Sequence, residues 1–352
     1  MEKTPMLLTA WRDLQFRRKR VAIAVVGTAL VLALSLVMTG ISASFRNEVR
    51  DGLGSFNATS WLRPAVANGV LIASTPFDPS TAPSAADLGV KRADPVLFRN
   101  TSVGRGEKDQ IAYFGVIRGG LGDPQPTKGA RLNGPGDVVL DAKLGRKIGS
   151  TITLGGVSFT VVGLVKNRSI MAGVPVAFMA LGDAQRLAFG GQALANTVAL
   201  SASPSNVPDG WAVDSEKDVE VEMLQPLTRA IKTIDLVRAL LWLVAALIVG
   251  SVMYLQSLER SRDFAVLKAT GSSARSIGGS LALQAVFLTL VASMIGIGIA
   301  VLLAPRFPMN VAIPTMAFLA LPGLAVAVGL IASITGLRRS LAIEPAFAFR
   351  GA

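Results

Sequence analysis

Neither cysteine nor histidine occurs anywhere in the 352 residues. Disulfide staples, thiolate or imidazole metal ligands, cysteine nucleophiles and histidine general bases are therefore excluded, and most familiar hydrolase chemistry goes with them. Charged residues make up only 16% of the chain and aromatics 6%. Nucleic-acid binding needs basic residues gathered on one soluble face beside aromatic or polar readers, so a formal charge of +12 on so aromatic-poor a chain calls for another explanation. Hydrophobic residues reach 51%, and the mean hydropathy of +0.51 lies well above ordinary soluble composition. A membrane protein is expected.

Val21 to Ser44 is a run of 24 residues with no charge, enough at about 1.5 Å per residue to cross a hydrocarbon core about 30 Å thick. The cluster Arg17, Arg18, Lys19, Arg20 before it and Ser42, Ala43, Ser44 after it also resemble a cleavable signal peptide. The run exceeds the apolar core of about 7 to 15 residues that such signals use, so an uncleaved span is expected at 21–44. Three further spans are predicted at 236–258, 277–304 and 313–336, charged only at Arg238, which lies beside a boundary and can snorkel. The stretch 45–235 mixes polar and apolar residues and reads as a folded domain.

Orientation follows from the basic residues flanking the spans. Residues 1–20 hold six basic and two acidic residues, the loop 259–275 four and two, and the tail 337–352 three and one. The loop 305–312 has only Arg306, and the long domain is nearly balanced, with twenty basic against eighteen acidic residues. Both termini and the 259–275 loop are thus predicted to face the cytoplasm, with the domain outside. Most of the basic excess is topology, and no nucleic-acid partner is expected.

In lipid, helices associate where small residues allow close backbone approach. Ala246 and Gly250, then Ala292, Gly296 and Ala300, then Ala325, Gly329 and Ser333, form such ridges at a spacing of four. The plain alternative is that small residues abound in any membrane helix. No span carries a charge at its middle, which speaks against an ion or proton path. Gln284, inside the third span, is expected to bond a neighbouring helix.

In the outer domain, 45–55 continues the first span with Arg46, Glu48, Arg50 and Asp51, and 222–235 leads into the second past Pro226. Both read as helical extensions on solvated stalks. Residues 137–140 alternate as a strand, 142–148 can form a short helix, and 151–154 with 157–165 flank Gly155-Gly156 as a hairpin. Short apolar runs at 96–98 and 111–116 in a Pro- and Gly-rich stretch suggest small strands between loops. The fold class expected is an α-helical membrane protein with four transmembrane helices and an α+β extracytoplasmic domain on helical stalks. Scattered carboxylates show no paired spacing for acid and base catalysis, so no catalytic residue and no metal site is expected.

Between the second and third spans the chain runs Glu259, Arg260, Ser261, Arg262, Asp263, Phe264, Ala265, Val266, Leu267, Lys268, Ala269, Thr270, Gly271. Helical spacing puts Phe264, Leu267 and Lys268 along one side, and Gly271 suits a C-terminal cap. From the pattern alone this is either a short helix that seats in a partner's groove or a mere interfacial connector. The stretch resembles the E-R-x-R-(D/E)-(F/I)-(A/G)-x-L-(K/R)-A-x-G signature of MacB/FtsX-type ABC transporter permeases. Residues 8–20 resemble that family's juxtamembrane helix, and Gly149, Ile152, Leu154, Gly155, Gly156, Phe159, Val161, Val162 and Gly163 resemble a run usual in its outer domain. The tail from Ile343, Glu344, Pro345 to Phe349, Arg350 is similar to its "I-x-P-x-x-A-L-R" ending. Departures are Ser150 for aspartate, Phe349 for leucine and Gln284 for a frequent glutamate.

The resemblance implies a permease dimer, homodimeric or pseudo-symmetric, in a bacterial inner membrane, working with cytoplasmic ATPase subunits. No G-x-x-x-x-G-K-(S/T) phosphate loop occurs, so ATP and Mg are expected on a separate partner, with no cofactor and no enzyme activity on this chain. The helix bearing Glu259, Arg260, Arg262, Asp263, Phe264, Leu267, Lys268 and Gly271 would couple that partner's motion to the outer domain. Three functions stay open: export or extraction of a hydrophobic or amphipathic substrate, signalling to an extracellular cell-wall hydrolase without transport, and import of a small solute such as an amino acid. An extracytoplasmic partner is a further expectation.

Overall fold

The computed structural model describes residues 18–104, 110–166, 168–170, 172–259, 266, 274–307 and 311–341. In chain order the described elements are α1 (Arg18–Gly54), β1 (Ser60–Pro64), β2 (Ala93–Ser102), β3 (Gln110–Val116), β4 (Lys128–Gly129), β5 (Asp137–Asp141), β6 (Thr151–Leu154), β7 (Val157–Val165), β8 (Ser169–Ile170), β9 (Val174–Ala180), α2 (Leu181–Phe189), β10 (Thr197–Leu200), β11 (Trp211–Ser215), α3 (Glu216–Leu224), α4 (Thr228–Glu259), α5 (Ala274–Leu303) and α6 (Thr315–Leu341). They divide into two compact units, Ser44–Arg229 and a helical unit made of the described residues up to Ala43 and from Ala230 onward.

In the first unit the strands form one mixed sheet in the order β11, β1, β10, β2, β3, β9, β5, β7, β4, with β6 on β7 and β8 on β9. Most pairs are antiparallel, while β3 with β9 and β5 with β7 run parallel. β2 is shared along its length, pairing with β10 through 93–96 and with β3 through 97–102. Strand alternation splits the apolar residues between two faces. Val96, Phe98, Ala112, Phe114, Val139, Val176 and Phe178 point to one core, while Leu97, Ile111, Tyr113, Val138, Leu140, Ala177 and Met179 point to the other. Val49 and Leu53 at the end of α1, Phe56 just beyond it, and Val219 and Met223 of α3 cover the first face. Helix α2 covers the second through Leu181, Ala184 and Leu187. An aromatic cluster holds the first core together, with Phe56 edge-on to Trp61 at 5.2 Å and to Phe114 at 4.9 Å.

The hairpin expected at Gly155-Gly156 is present as β6 and β7, with Leu154 opposite Val157. Both glycines have positive φ, 53° and 87°, as the tight two-residue turn requires. The helix expected over 142–148 is not formed. A single 3-10 turn, Ala142–Leu144, is capped by the Asp141 side chain and stopped by Gly145 at φ 64°. Glycine there adopts the left-handed conformation cheaply and ends the turn before a helix can propagate.

Among the described residues four helical stretches are long and apolar enough to cross a membrane: Val21–Gly54, Glu216–Glu259, Gly278–Arg306 and Thr315–Ile334. Large apolar side chains stand outward on them, such as Leu236, Leu240, Leu243 and Leu247, each more than half exposed. A surface of that kind is stable in lipid and not in water. The interior of the helical unit is lined by Val21, Ala24, Val249, Met253, Ala285, Leu288 and Ala332.

Candidate functional site

Buried and bridging charged side chains gather at the two helical ends of the Ser44–Arg229 unit. Sequence places Arg46, Glu48, Arg50 and Asp51 on a solvated stalk, and the structure corrects this for Glu48, which is only 8% exposed. The next residues inward, Val49 and Leu53, belong to the sheet's core. The Glu48 carboxylate accepts hydrogen bonds from Ser169 Oγ and from the Gly173 N–H, both at 2.9 Å. Ser169 Oγ in turn accepts from Lys143 Nζ at 3.0 Å. The neighbouring Arg168 donates its guanidinium to the Asp51 carbonyl and its N–H to buried Asp141 at 2.7 Å. A cation at the carbonyl end of a helix is favourably placed against the helix dipole. Glu48 and its partners lie 121 and 125 residues apart, so no local pattern discloses the contact.

At the other end, Ser215 caps α3 in a reciprocal box with Asp218. In the last turn of α3, Glu222 reaches into the loop after β1. Its carboxylate accepts the N–H groups of Val70 at 2.6 Å, Leu71 at 3.1 Å, Ile72 at 2.8 Å and Ala73 at 3.0 Å. Charge-assisted bonds of this kind are about twice as strong as neutral ones. A 3-10 turn, Gln225–Leu227 with Pro226 inside it, then leads into α4. Arg50 of α1 and Glu220 of α3 form an ion pair at 3.2 Å, but the arginine is 64% exposed, so the pair contributes little.

In the helical unit, Gly296 of α5 lies against α1: a methyl group there would stand 2.9 Å from the Ala29 carbonyl oxygen. Gly329 of α6 lies against α5, where a methyl would stand 2.7 Å from Thr289 Oγ1 and 3.1 Å from the Ala285 carbonyl. Ala292, Ala300 and Ala325 are fully buried, and Ser333 is buried with its hydroxyl on the Leu330 carbonyl at 2.7 Å. On α4, Gly250 is buried and Ala246 half-buried, while Ala245 and Val249 are the fully buried positions. Gln284 is buried. A polar link that sequence reasoning missed joins α1 to α4, with Trp242 Nε1 donating to Ser35 Oγ at 2.8 Å. Arg238 is held beside it, 3.0 Å from Asp235 and over the Trp242 ring at 5.5 Å. A tryptophan and an arginine one turn apart near a span's end were its available signal.

Of the residues expected to meet an ATPase, Glu259 closes α4. Arg260, Arg262, Asp263, Phe264, Leu267, Lys268 and Gly271 lie outside the described residues. Among the described residues, no three acidic side chains are grouped as a metal site would need.

The MacB-like periplasmic core domain family matches residues 21–212, and the FtsX-like permease C-terminal family matches 236–345. ABC transporter permeases of Mycobacterium tuberculosis and Mycobacterium bovis are 40% identical over 348 residues, covering 98% of this chain and 100% of each relative. A second permease of Mycobacterium tuberculosis is 38% identical over the same extent. The pyoverdine export ATP-binding/permease protein of Pseudomonas fluorescens is 24% identical over 342 residues, 83% of this chain and 50% of that protein. Two family matches in series over residues 21–212 and 236–345, with full-length relatives at this identity, make the chain a membrane-embedded ABC transporter permease of the MacB/FtsX family, a family that works with an ATPase partner.

Proposed function

We propose that this permease transmits the ATP-driven motion of a separate cytoplasmic ATPase subunit to its outer domain, and that the motion exports or extracts a hydrophobic or amphipathic substrate. The main support is the way the outer domain holds its two helical ends. α1 is one helix from Arg18 to Gly54, and its last turns supply Val49 and Leu53 to the sheet's core and Glu48 to the β8–β9 turn. α3, which leads to α4 through one 3-10 turn, supplies Val219 and Met223 to the same core and clasps the 70–73 loop through Glu222. Helix ends bonded in this way cannot shift without moving the sheet. The pyoverdine export function in the name of the Pseudomonas fluorescens relative favours the outward direction.

In this reading the chain works as a dimer in the bacterial inner membrane, with both termini and the 259–275 segment on the cytoplasmic side. The ATPase docks on Glu259, Arg260, Arg262, Asp263, Phe264, Leu267, Lys268 and Gly271, and ATP and Mg stay on that subunit. The test uses the complex reconstituted in liposomes. Arg262→Glu combined with Phe264→Ala should abolish stimulation of the ATPase while leaving thermal unfolding of the permease unchanged. Full stimulation in that variant refutes the coupling.

A further inference from the structure

Two neighbouring clefts of the Ser44–Arg229 unit, an inner and an outer, share Gly54, Ser55 and Arg168 in their linings. The inner one, about 230 Å³, has Val165 and Phe178 as apolar wall and Ser55, Asn57 and Gln125 as polar lining, with Arg168 as the one charged residue among its described lining. The outer one, about 490 Å³, carries mixed charge from Arg50, Asp51, Lys166 and Glu216. Arg168 spends one nitrogen on the Asp51 carbonyl and pairs with no carboxylate among the described residues. A guanidinium has five N–H donors in a planar fork, so most of the donors of this cleft-lining side chain bond no other described residue. The side-chain amides of Asn57 and Gln125 bond no other described residue, and Asn57, at φ 53°, sits in the left-handed region that asparagine enters more readily than other non-glycine residues.

From this geometry we infer that the inner cleft binds an amphipathic anion, a carboxylate or phosphate carried on a short apolar stem. The anionic group meets the Arg168 fork and the two amides, and the stem lies on Val165 and Phe178. The volume suits the end of a molecule, with the polar remainder passing into the outer cleft. A neutral amphiphile would leave the guanidinium desolvated and unpaired, which is the physical basis of discrimination. The inference rests on the reading that the substrate is engaged by the outer domain, and it supplies that substrate's charge. A lipid head group and a soluble amphiphile share this chemistry.

The full-length permease with its ATPase, in phosphatidylcholine nanodiscs, is photolabelled with a diazirine-bearing decanoic acid and, separately, with the matching alcohol. The acid is expected to label peptides holding 54–57 or 124–125, the alcohol not. Arg168→Gln should cut that labelling by about tenfold or more, the loss of one charge-assisted bond, and Arg168→Lys should retain part of it. Should Arg168→Gln fail to fold, Gln125→Trp decides, because it fills the mouth at an exposed position and should block labelling. Adding phosphatidylglycerol to the nanodiscs should suppress the label when lipid head groups occupy the cleft and leave it when soluble amphiphiles do, either result supporting the site. Equal labelling by acid and alcohol, labelling that survives both substitutions, or labelling confined to 236–341 overturns it. Failure with normal ATPase stimulation sinks the site alone, whereas loss of coupling is read from the Arg262 and Phe264 variant.

Discussion

Replacing Glu222 with alanine strips the 70–73 loop of an acceptor shared by four consecutive N–H groups. Val70 and Leu71 are buried, at 1% and 2% exposure, so water cannot replace the carboxylate at their amides without opening the loop. Bonds to a charged acceptor contribute about 1.5–3 kcal/mol each when intact, but four bonds to one carboxylate do not add, and the less buried amides of Ile72 and Ala73 can turn to water. A loss of about 2–3 kcal/mol is expected, which accelerates exchange of those amides by about 30- to 160-fold if they exchange through local opening. Hydrogen exchange with mass spectrometry on the full-length protein in nanodiscs reads this directly from peptides spanning 68–75, with 137–141 of β5 as internal reference. Glu222→Gln keeps one acceptor oxygen in place and should show a smaller acceleration. Unchanged exchange in Glu222→Ala, or equal effects of glutamine and alanine, would refute the reasoning.

Gly296→Ala should lower the thermal midpoint in detergent, since the added methyl meets the Ala29 carbonyl at 2.9 Å and the Ala33 nitrogen at 3.3 Å, an overpacking cost of about 1–3 kcal/mol. Gly298→Ala, two residues on and open within 4 Å, is the control that should unfold like the parent, and equal midpoints for both variants would dismiss the contact. Tyr113 offers a pH test: burial, partly offset by the charge of Arg99, pushes its hydroxyl from 10.0 up to about 12. The folded form therefore keeps a proton that the unfolded chain releases, so stability is untouched below the ordinary value and falls as pH rises between the two. Tyr113→Phe should flatten that decline in an alkaline unfolding series, and parallel declines in both proteins would exclude the effect.

The elements legible in the sequence are those written in local periodicity. The four apolar helices stand out by length, the Gly155-Gly156 hairpin by its turn residues, and the strands at 96–98 and 111–116 by short apolar runs that lie inside β2 and β3. The helix expected over 142–148 failed because Gly145 stops it after one turn, a local signal outweighed in the reading by favourable neighbours. Glu48 and Glu222 were invisible for a different reason. Each looks like an ordinary stalk charge along the chain, and each owes its role to partners more than a hundred residues away. The Trp242 to Ser35 link has the same character, being a pairing between two spans that are each unremarkable alone. Local pattern specifies which segments form, whereas long-range satisfaction of polar groups decides which charged residue is structural.

The place of β1 in the sheet has a bearing on biogenesis. Its two neighbours, β10 and β11, come from 197–200 and 211–215, at the far end of the outer domain's sequence. A nascent chain must carry the edges of Trp61 and Leu62 unpaired until nearly the whole domain has been made. Loop closure over that length is slow, and unpaired strand edges invite wrong partners in the interval. Chains halted before Trp211 should therefore be the ones that chaperones and proteases clear first, whatever the state of the membrane helix behind them.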